Sequence, residues 1–124
     1  MQMSLRELIA KANDRKVEPI DVPEWPGTVG QLFVRSISAR EQMECVKRFG
    51  PDSGVEKKPD EYWPALVAYF LCDTEGVRIF ADEESGEMAD RNVDVLMRIA
   101  KTGMKFNGMA VDENAAKNSE PTPA

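Results

Sequence analysis

The residues best suited to chemistry in this sequence are carboxylates, and they concentrate in residues 73–94. This segment holds eight Asp and Glu against two Arg, an excess equal to the net charge of −6 of the whole 124-residue chain. A calcium loop needs carboxylates at alternating positions with a central Gly and a distal Glu. The run Asp73-Thr74-Glu75-Gly76 has neither that order nor that length. Helix capping and solvated surface are therefore the favoured interpretation, and an electronegative patch that meets a basic partner is the alternative.

Other side chains that commonly carry out catalysis are scarce. The chain contains no histidine, which is the usual acid–base group near neutral pH and the commonest metal ligand. Cys45 and Cys72 form no C-x-x-C motif and lie among apolar residues, so we interpret them as buried structural thiols. The sequence also lacks a Gly-rich phosphate loop and a nucleophile elbow. It therefore predicts a protein that is not an enzyme and binds no metal or cofactor.

The composition is typical of one globular domain. Hydrophobic residues make up 42% of the chain and charged residues 31%, which is globular rather than disordered usage. The acidic balance argues against nucleic acid and anionic membranes as partners, because both attract clustered Lys and Arg. No secretory signal is recognisable, and the longest strongly apolar run, Ala65–Cys72, is too short to span a bilayer. We expect a soluble intracellular protein.

Helix-start signals divide much of the chain into four predicted helices. Ser4 with Glu7, and Ser38 with Glu41, match the capping box, in which the hydroxyl and the carboxylate accept hydrogen bonds from first-turn amides. Asp60 is the predicted N-cap of a third helix that is apolar on more than one side and should be central to the core. The predicted helices are Ser4–Arg15, Ser38–Phe49, Asp60–Cys72 and Val93–Phe106.

Apolar spacing predicts which helix faces turn inward. In the second helix we expect Met43, Val46 and Phe49 to face the core. The first helix has an apolar stripe at i, i+3, i+4 and i+7, and its polar face is basic although the chain is acidic. The stripe is Leu5, Leu8, Ile9 and Ala12, and the basic residues are Arg6, Lys11, Arg15 and Lys16.

Two extended runs on either side of a turn predict a β-hairpin. The run Val17–Val22 contains Pro19, which cannot donate a ladder hydrogen bond, so this strand should lie at a sheet edge. Trp25-Pro26-Gly27 is the predicted turn and Gln31–Ser36 the second strand. Val77–Phe80 is a candidate third strand. The predicted fold class is α+β, a small antiparallel hairpin or sheet packed against about four helices.

Apolar content falls sharply near the C-terminus. Residues 110–124 consist mainly of Ala, Asn, Ser, Pro and charged residues, which predicts a disordered tail. Residues 1–109 are therefore expected to form a single domain.

The order of these segments resembles the tail assembly chaperones of phages with long, flexible tails and of their prophages. The most specific pieces are the Leu-Cys-Asp-x-x-Gly-x-Arg-x-Phe turn at residues 71–80 and the Ser-Ile-Ser-Ala-Arg-Glu helix start at residues 36–41. The resemblance covers about residues 4–109. In chain order, the segments that carry it are Ser4–Ile9, Glu18–Trp25, Val34–Glu41, Leu71–Phe80 and Phe106–Met109.

The resemblance implies a non-enzymatic role in the host cytoplasm. Such chaperones bind the long, hydrophobic tape measure protein and keep it soluble until tail tube subunits polymerise around it, and they are absent from the finished virion. Many of these phages also make a longer product by ribosomal frameshifting, and its extra domain recruits the tail tube protein. Residues 112–124 suit the short product of such a pair, or a linker to a second domain. Many copies must coat one client, so we also expect that copies of this chain associate with one another as a homo-oligomer.

A chaperone for a hydrophobic helix needs an apolar groove with adaptable side chains. Seven Met in the chain is a high number, and several lie in the last quarter, where flexible thioethers suit surfaces that repack around partners. The last helix and its exit are therefore the predicted protein-binding site. Its candidate residues are Leu96, Ile99, Met104, Phe106 and Met109.

Two alternatives to a chaperone remain open on the sequence. One is an acidic adaptor or inhibitor whose 73–94 segment captures a basic protein, and the other is a minor structural protein of the tail. Salt separates the first alternative from the chaperone, since capture by charge weakens as salt screens it while apolar capture changes little.

Overall fold

The computed structural model describes residues 3–109, and within them the chain forms four α-helices, three strands and three 3-10 helices. The predicted α+β fold class is confirmed. The predicted disordered tail, residues 110–124, lies outside the described residues. The α-helices are α1 (Leu5–Lys11), α2 (Ala39–Phe49), α3 (Pro59–Phe70) and α4 (Val93–Phe106). The strands are β1 (Val17–Pro19), β2 (Phe33–Arg35) and β3 (Leu71–Cys72), and the 3-10 helices are Pro51–Ser53, Val55–Lys57 and Asp82–Met88.

The strands form one antiparallel sheet in the order β1-β2-β3. Val17 pairs with Arg35, so the predicted antiparallel pairing is confirmed, but the strands are shorter than the predicted Val17–Val22 and Gln31–Ser36. The first strand lies at the sheet edge, as expected for a strand that contains Pro19. The prediction of a third strand at Val77–Phe80 is wrong, because β3 precedes that segment and Arg78 makes only an isolated bridge to Cys72.

Two arginine side chains donate hydrogen bonds to carbonyl groups at the C-terminal end of α3. Arg35 Nε donates to the Tyr69 carbonyl at 2.7 Å, and Arg78 Nε donates to the Ala68 carbonyl at 2.9 Å. Carbonyls in the last helical turn lack partners within the helix, and cationic donors also favour that end of the helix dipole. The chain leaves the helix at Phe70, two residues before the predicted end at Cys72.

Three predicted helix starts are confirmed. The Ser4 and Ser38 hydroxyls each accept from the backbone N–H of the residue three positions on, and the matching Glu7 and Glu41 carboxylates accept from the Ser4 and Ser38 backbone N–H groups. The Asn92 side chain accepts from two first-turn amides of α4. Side-chain caps of this kind stabilise a helix start by about 1 kcal/mol.

Two helix boundaries differ from the sequence prediction. α1 ends at Lys11 rather than Arg15, and the Asn13 carboxamide oxygen accepts from the Arg15 N–H, a local bond that competes with helix. α3 starts at Pro59 with Lys58 as its N-cap, so the prediction of Asp60 as the cap is wrong. Proline suits this first position because its missing N–H has no helical partner there.

The core is centred on α3, as predicted. Leu66, Val67 and Phe70 have no exposed surface, and Ile99 and Ala100 of α4 are equally buried. α3 packs against α4 and the Asp82–Met88 helix, and β2 packs against α4. The core therefore joins the C-terminal half of the chain to the hairpin.

The inward face of α2 differs from the prediction. Cys45 and Phe49 are buried, whereas Met43 is 57% and Val46 is 54% exposed, so the prediction for the last two is wrong. The face that turns inward continues from Glu41, whose carbonyl accepts from the Tyr69 hydroxyl at 2.7 Å. Glu41, Cys45 and Phe49 are four residues apart and lie on one face of α2. The hydrogen bond from Tyr69 is made on this face, which packs against the core.

Gly103 allows α4 to approach α3 closely. A Cβ atom at this position would lie 2.5 Å from Cγ of Phe70, a residue with no exposed surface. We expect Gly103→Ala to destabilise the domain by about 1–2 kcal/mol, since overpacking outweighs the gain in helix propensity. Urea denaturation measures the change.

Gly86→Ala is the matched control for this substitution. Gly86 lies in the Asp82–Met88 helix, and a Cβ atom there would meet nothing within 4 Å. We expect its free energy of unfolding to stay near that of the wild type. Equal stability of the two variants would contradict the close contact at Gly103.

Candidate functional site

Two of the five residues predicted to bind a partner on α4 lie in the core. Leu96 and Ile99 are buried in the core, at 2% and 0% exposure, and are not accessible to a partner. Met104, Phe106 and Met109 are half-buried and pack against the same core. These five residues form the inner face of α4 and its exit because that face packs against α3 and β2. Acidic substitutions at Met104 and Phe106 would therefore disturb packing as well as any binding.

An exposed apolar face lies instead on α1. Leu5 is 78%, Leu8 50% and Ile9 75% exposed, and α1 has no buried residue. We call these three residues the α1 stripe. Three large aliphatic side chains held on one face of a helix and left uncovered are typical of a surface that another chain covers.

A second exposed face lies on α2. Met43 and Val46 are more than half exposed, and with Ala39 they follow the i, i+4, i+7 spacing of one helix face. We call these three residues the α2 stripe. A shallow groove of about 640 Å³ lies beside Ala39 and Met43 of this stripe, and its lining residues are Ala39, Arg40, Met43, Glu44, Lys47 and Arg48.

The chain segment after α1 is tied to the start of α2. The Arg15 guanidinium pairs with the Glu41 carboxylate at 3.0 Å, and the Lys16 N–H donates to the Ser36 hydroxyl at 2.8 Å. Only Ala12, Asn13 and Asp14 separate Arg15 from the last residue of α1. A short segment therefore follows the helix of the α1 stripe, and its ion pair and hydrogen bond attach it to the start of the helix that carries the α2 stripe.

Glu41 is the electrostatic centre of this connection. Its carboxylate accepts from the Ser38 N–H and pairs with Arg35 and Arg15. Partial burial alone would raise the pKa of Glu41, but the Ser38 and Arg35 hydrogen bonds and the two guanidinium charges outweigh it and lower the pKa from 4.5 to about 2. Glu41 therefore stays ionised and holds β2, α2 and the α1 connection together.

Three arginines surround the buried ring of Tyr69. The guanidinium carbons of Arg35, Arg78 and Arg48 lie 5.0, 5.5 and 5.7 Å from the ring centroid, within the range of cation–π attraction. Burial, followed by nearby Glu44, raises the pKa of the Tyr69 phenol well above its ordinary value. The hydroxyl is therefore a fixed hydrogen-bond donor, and the cluster is structural.

Several carboxylates of the acidic 73–94 segment make local hydrogen bonds, in line with the favoured interpretation. Asp73 accepts from two backbone amides of its own turn, and Glu84 accepts from the Ala81 N–H. Asp82 pairs with Arg78 at 2.6 Å and with Arg48 at 3.2 Å. Among residues 3–109, no group of three or more His, Cys, Asp or Glu side chains is arranged to hold a metal ion.

The two cysteines are buried, as expected. Cys45 is 2% and Cys72 0% exposed, and both thiols are free. Burial raises the pKa of each thiol to about 11. At neutral pH both side chains are therefore protonated and serve as small apolar groups in the core.

No family model, no curated protein and no solved structure matches this chain. Within the part of the chain that the structure describes, no helix has the length and apolar character needed to cross a membrane.

The sequence contained a signal of apolar spacing for both stripes. The spacing of Leu5, Leu8 and Ile9 indicates an amphipathic helix, and such a face is by default assigned to the core. The helix proves too short to pack, since it ends at Lys11. In α2, apolar spacing predicted that Met43 and Val46 face the core, but both lie on the exposed face.

Proposed function

We propose that this protein is a phage tail assembly chaperone that binds the tape measure protein and keeps it soluble during tail morphogenesis. The observation that carries the proposal is the α1 stripe, an ordered apolar helix face left uncovered by the domain. The resemblance at residues 36–41 and 71–80 supports the same assignment.

The chemistry of the two stripes fits reversible capture of an apolar helix. Covering a leucine or isoleucine side chain gains about 1.5–3 kcal/mol before the costs of association. Met43 adds a flexible, polarizable side chain that adapts to different client sequences. A surface of this size binds each client segment weakly, which suits a chaperone that is released as tube subunits arrive and is absent from the virion.

The proposal includes the second partner of such chaperones. A longer, frameshifted form of this protein would carry a further domain that recruits the tail tube protein. Residues 110–124 would then connect the client-binding domain to that extension.

Co-expression with the tape measure protein tests the proposal. We expect the wild-type chain to keep the client in the soluble fraction, and we expect a variant with Leu5→Gln, Leu8→Gln and Ile9→Gln to leave most of it in the pellet. These side chains lie outside the core, so the melting temperature of the variant should stay close to that of the wild type.

Val29→Gln is the matched control for this experiment. Val29 is 73% exposed but belongs to the turn after Trp25 rather than to either stripe. We expect full solubilisation by this variant. If the folded triple variant keeps the client soluble as well as the wild type does, the α1 stripe is not the binding surface.

A further inference from the structure

The distribution of charge around the two stripes is opposite to that of the whole chain. The chain has a net charge of −6, yet residues 4–16 contain four cations and two carboxylates. One of those carboxylates, Glu7, already accepts hydrogen bonds from Ser4. The N-terminal segment is therefore a basic region on an acidic protein.

Cations border the α1 stripe on both sides. Successive residues of a helix are about 100° apart, so Arg6 lies about 60° beyond Ile9 and Lys11 about 60° beyond Leu8. Glu7 lies on the opposite face of the helix. Arg6 and Lys11 are exposed, and neither makes an ion pair or side-chain hydrogen bond with any of residues 3–109.

The α2 stripe repeats this arrangement on one border. Lys47 and Arg40 lie about 40° and 60° beyond Met43 in the helical projection, and both are exposed and line the groove. Glu44 also lines the groove, and its carboxylate lies 4.0 Å from Arg48. Each of the two apolar stripes is thus bordered by cations on at least one side.

We propose that the client segment recognised by these stripes is an amphipathic helix whose apolar face is bordered by Asp and Glu. This inference rests on the proposed function and specifies the chemistry of its partner. A partner helix on the α1 stripe brings its own border residues next to Arg6 and Lys11, and one on the α2 stripe brings them next to Arg40 and Lys47. Opposite charges there speed association and favour one register, whereas like charges oppose it.

The same charges argue against two other occupants. A second copy would place these basic borders against each other if it bound through the same stripes, which opposes self-association there. An anionic membrane would attract the border but repel the acidic remainder of the chain. In addition, α1 is only about 10 Å long and offers little apolar area to a bilayer.

Two synthetic helical peptides test the inference. They share one apolar stripe, and its borders are all Glu in the first peptide and all Lys in the second. With the full-length chain we expect the Glu-bordered peptide to bind about tenfold more tightly at about 0.1 M salt. The difference should largely disappear at about 1 M salt, where the Debye length falls to about 3 Å. Fluorescence anisotropy measures both dissociation constants.

Charge reversal provides the variant and its control. Arg6→Glu with Lys11→Glu should invert the preference for the two peptides. Lys57→Glu with Arg91→Glu makes the same change in net charge at exposed positions outside the stripes and should keep the wild-type preference. Circular dichroism confirms that both variants are folded.

Three results would overturn the inference, and they separate it from the proposed function. In the first, the wild-type chain binds both peptides equally, and that binding is lost in the variant that carries Leu5→Gln, Leu8→Gln and Ile9→Gln. This result would reject recognition of an acidic border but would keep capture of an apolar helix face. Binding to anionic vesicles in preference to the Glu-bordered peptide would identify a lipid surface as the occupant. Failure to bind either peptide or to solubilise the tape measure protein would reject the proposed function as well.

Discussion

Replacing Arg35 with methionine is expected to destabilise the domain by about 3–5 kcal/mol, the range seen when one partner of a buried ion pair is removed. The Arg35 side chain is 8% exposed and pairs with Glu41 at 2.9 Å. It also donates to the Tyr69 carbonyl at the end of α3. Methionine keeps the volume but leaves that carbonyl without its donor and Glu41 with Arg15 as its remaining cation. Urea denaturation measures the loss, which is a large part of the stability of an ordinary domain.

Arg98→Met is the matched control for Arg35→Met. Arg98 makes two hydrogen bonds to Glu24, but both side chains are 45% exposed. Water replaces such bonds readily, so we expect a much smaller loss of stability. Equal effects of the two substitutions would show that the buried bonds of Arg35 to Glu41 and to the Tyr69 carbonyl add no stability beyond that of an exposed ion pair.

Acid is expected to weaken the domain through Glu41. Because the pKa of Glu41 falls from 4.5 to about 2 on folding, its contribution is fully present above about pH 5 and is lost as the pH falls toward 2. A difference of this size corresponds to about 3 kcal/mol. Glu41→Gln should therefore be less stable than the wild type at pH 7 by about 2–3 kcal/mol, and the gap should close near pH 2. Denaturation at a series of pH values measures it.

The control for the acid experiment is Glu24→Gln. The hydrogen bond from Arg98 also lowers the pKa of Glu24, but that carboxylate is exposed. We expect this variant to follow the wild-type dependence of stability on pH closely. A Glu41→Gln variant whose stability falls with acid as steeply as the wild type would mean that other carboxylates cause the acid sensitivity.

Local signals in the sequence predicted the elements well where one short motif decides the structure. The capping boxes at Ser4 and Ser38 fix helix starts through bonds between residues three apart. α4 runs from Val93 to Phe106, as predicted, because Asn92 supplies its cap and Gly108 adopts a left-handed conformation after it. The antiparallel pairing of β1 with β2 was likewise predicted, from the alternation of the two segments.

The end of α3 and the buried face of α2 involve contacts between residues far apart in the chain, which local sequence patterns do not predict. α3 ends at Phe70, where Arg35, far away in the chain, donates to the Tyr69 carbonyl. α2 is rotated by a hydrogen bond from Tyr69 to the Glu41 carbonyl. Neither bond leaves a periodic signature, so apolar spacing alone assigned Met43 and Val46 to the wrong face.

The sequence likewise could not show which apolar helix face is left exposed. Apolar spacing identifies a helix face but does not say whether the domain or another chain covers it. Leu96 and Ile99 on α4 proved to be covered by the domain itself, whereas Leu5 and Ile9 on α1 are exposed. The resemblance to tail assembly chaperones did not favour either helix, because it carries no set of binding residues.

The separation of α1 from the core has a consequence for how such a protein can evolve. α1 has no buried residue, so most substitutions on its surface leave folding stability almost unchanged. Selection for stability and selection for recognition then act on different residues, and the usual trade-off between the two is relaxed. A lineage could follow a diverging partner by exchanging a few side chains of one short helix while its folding nucleus stays constant.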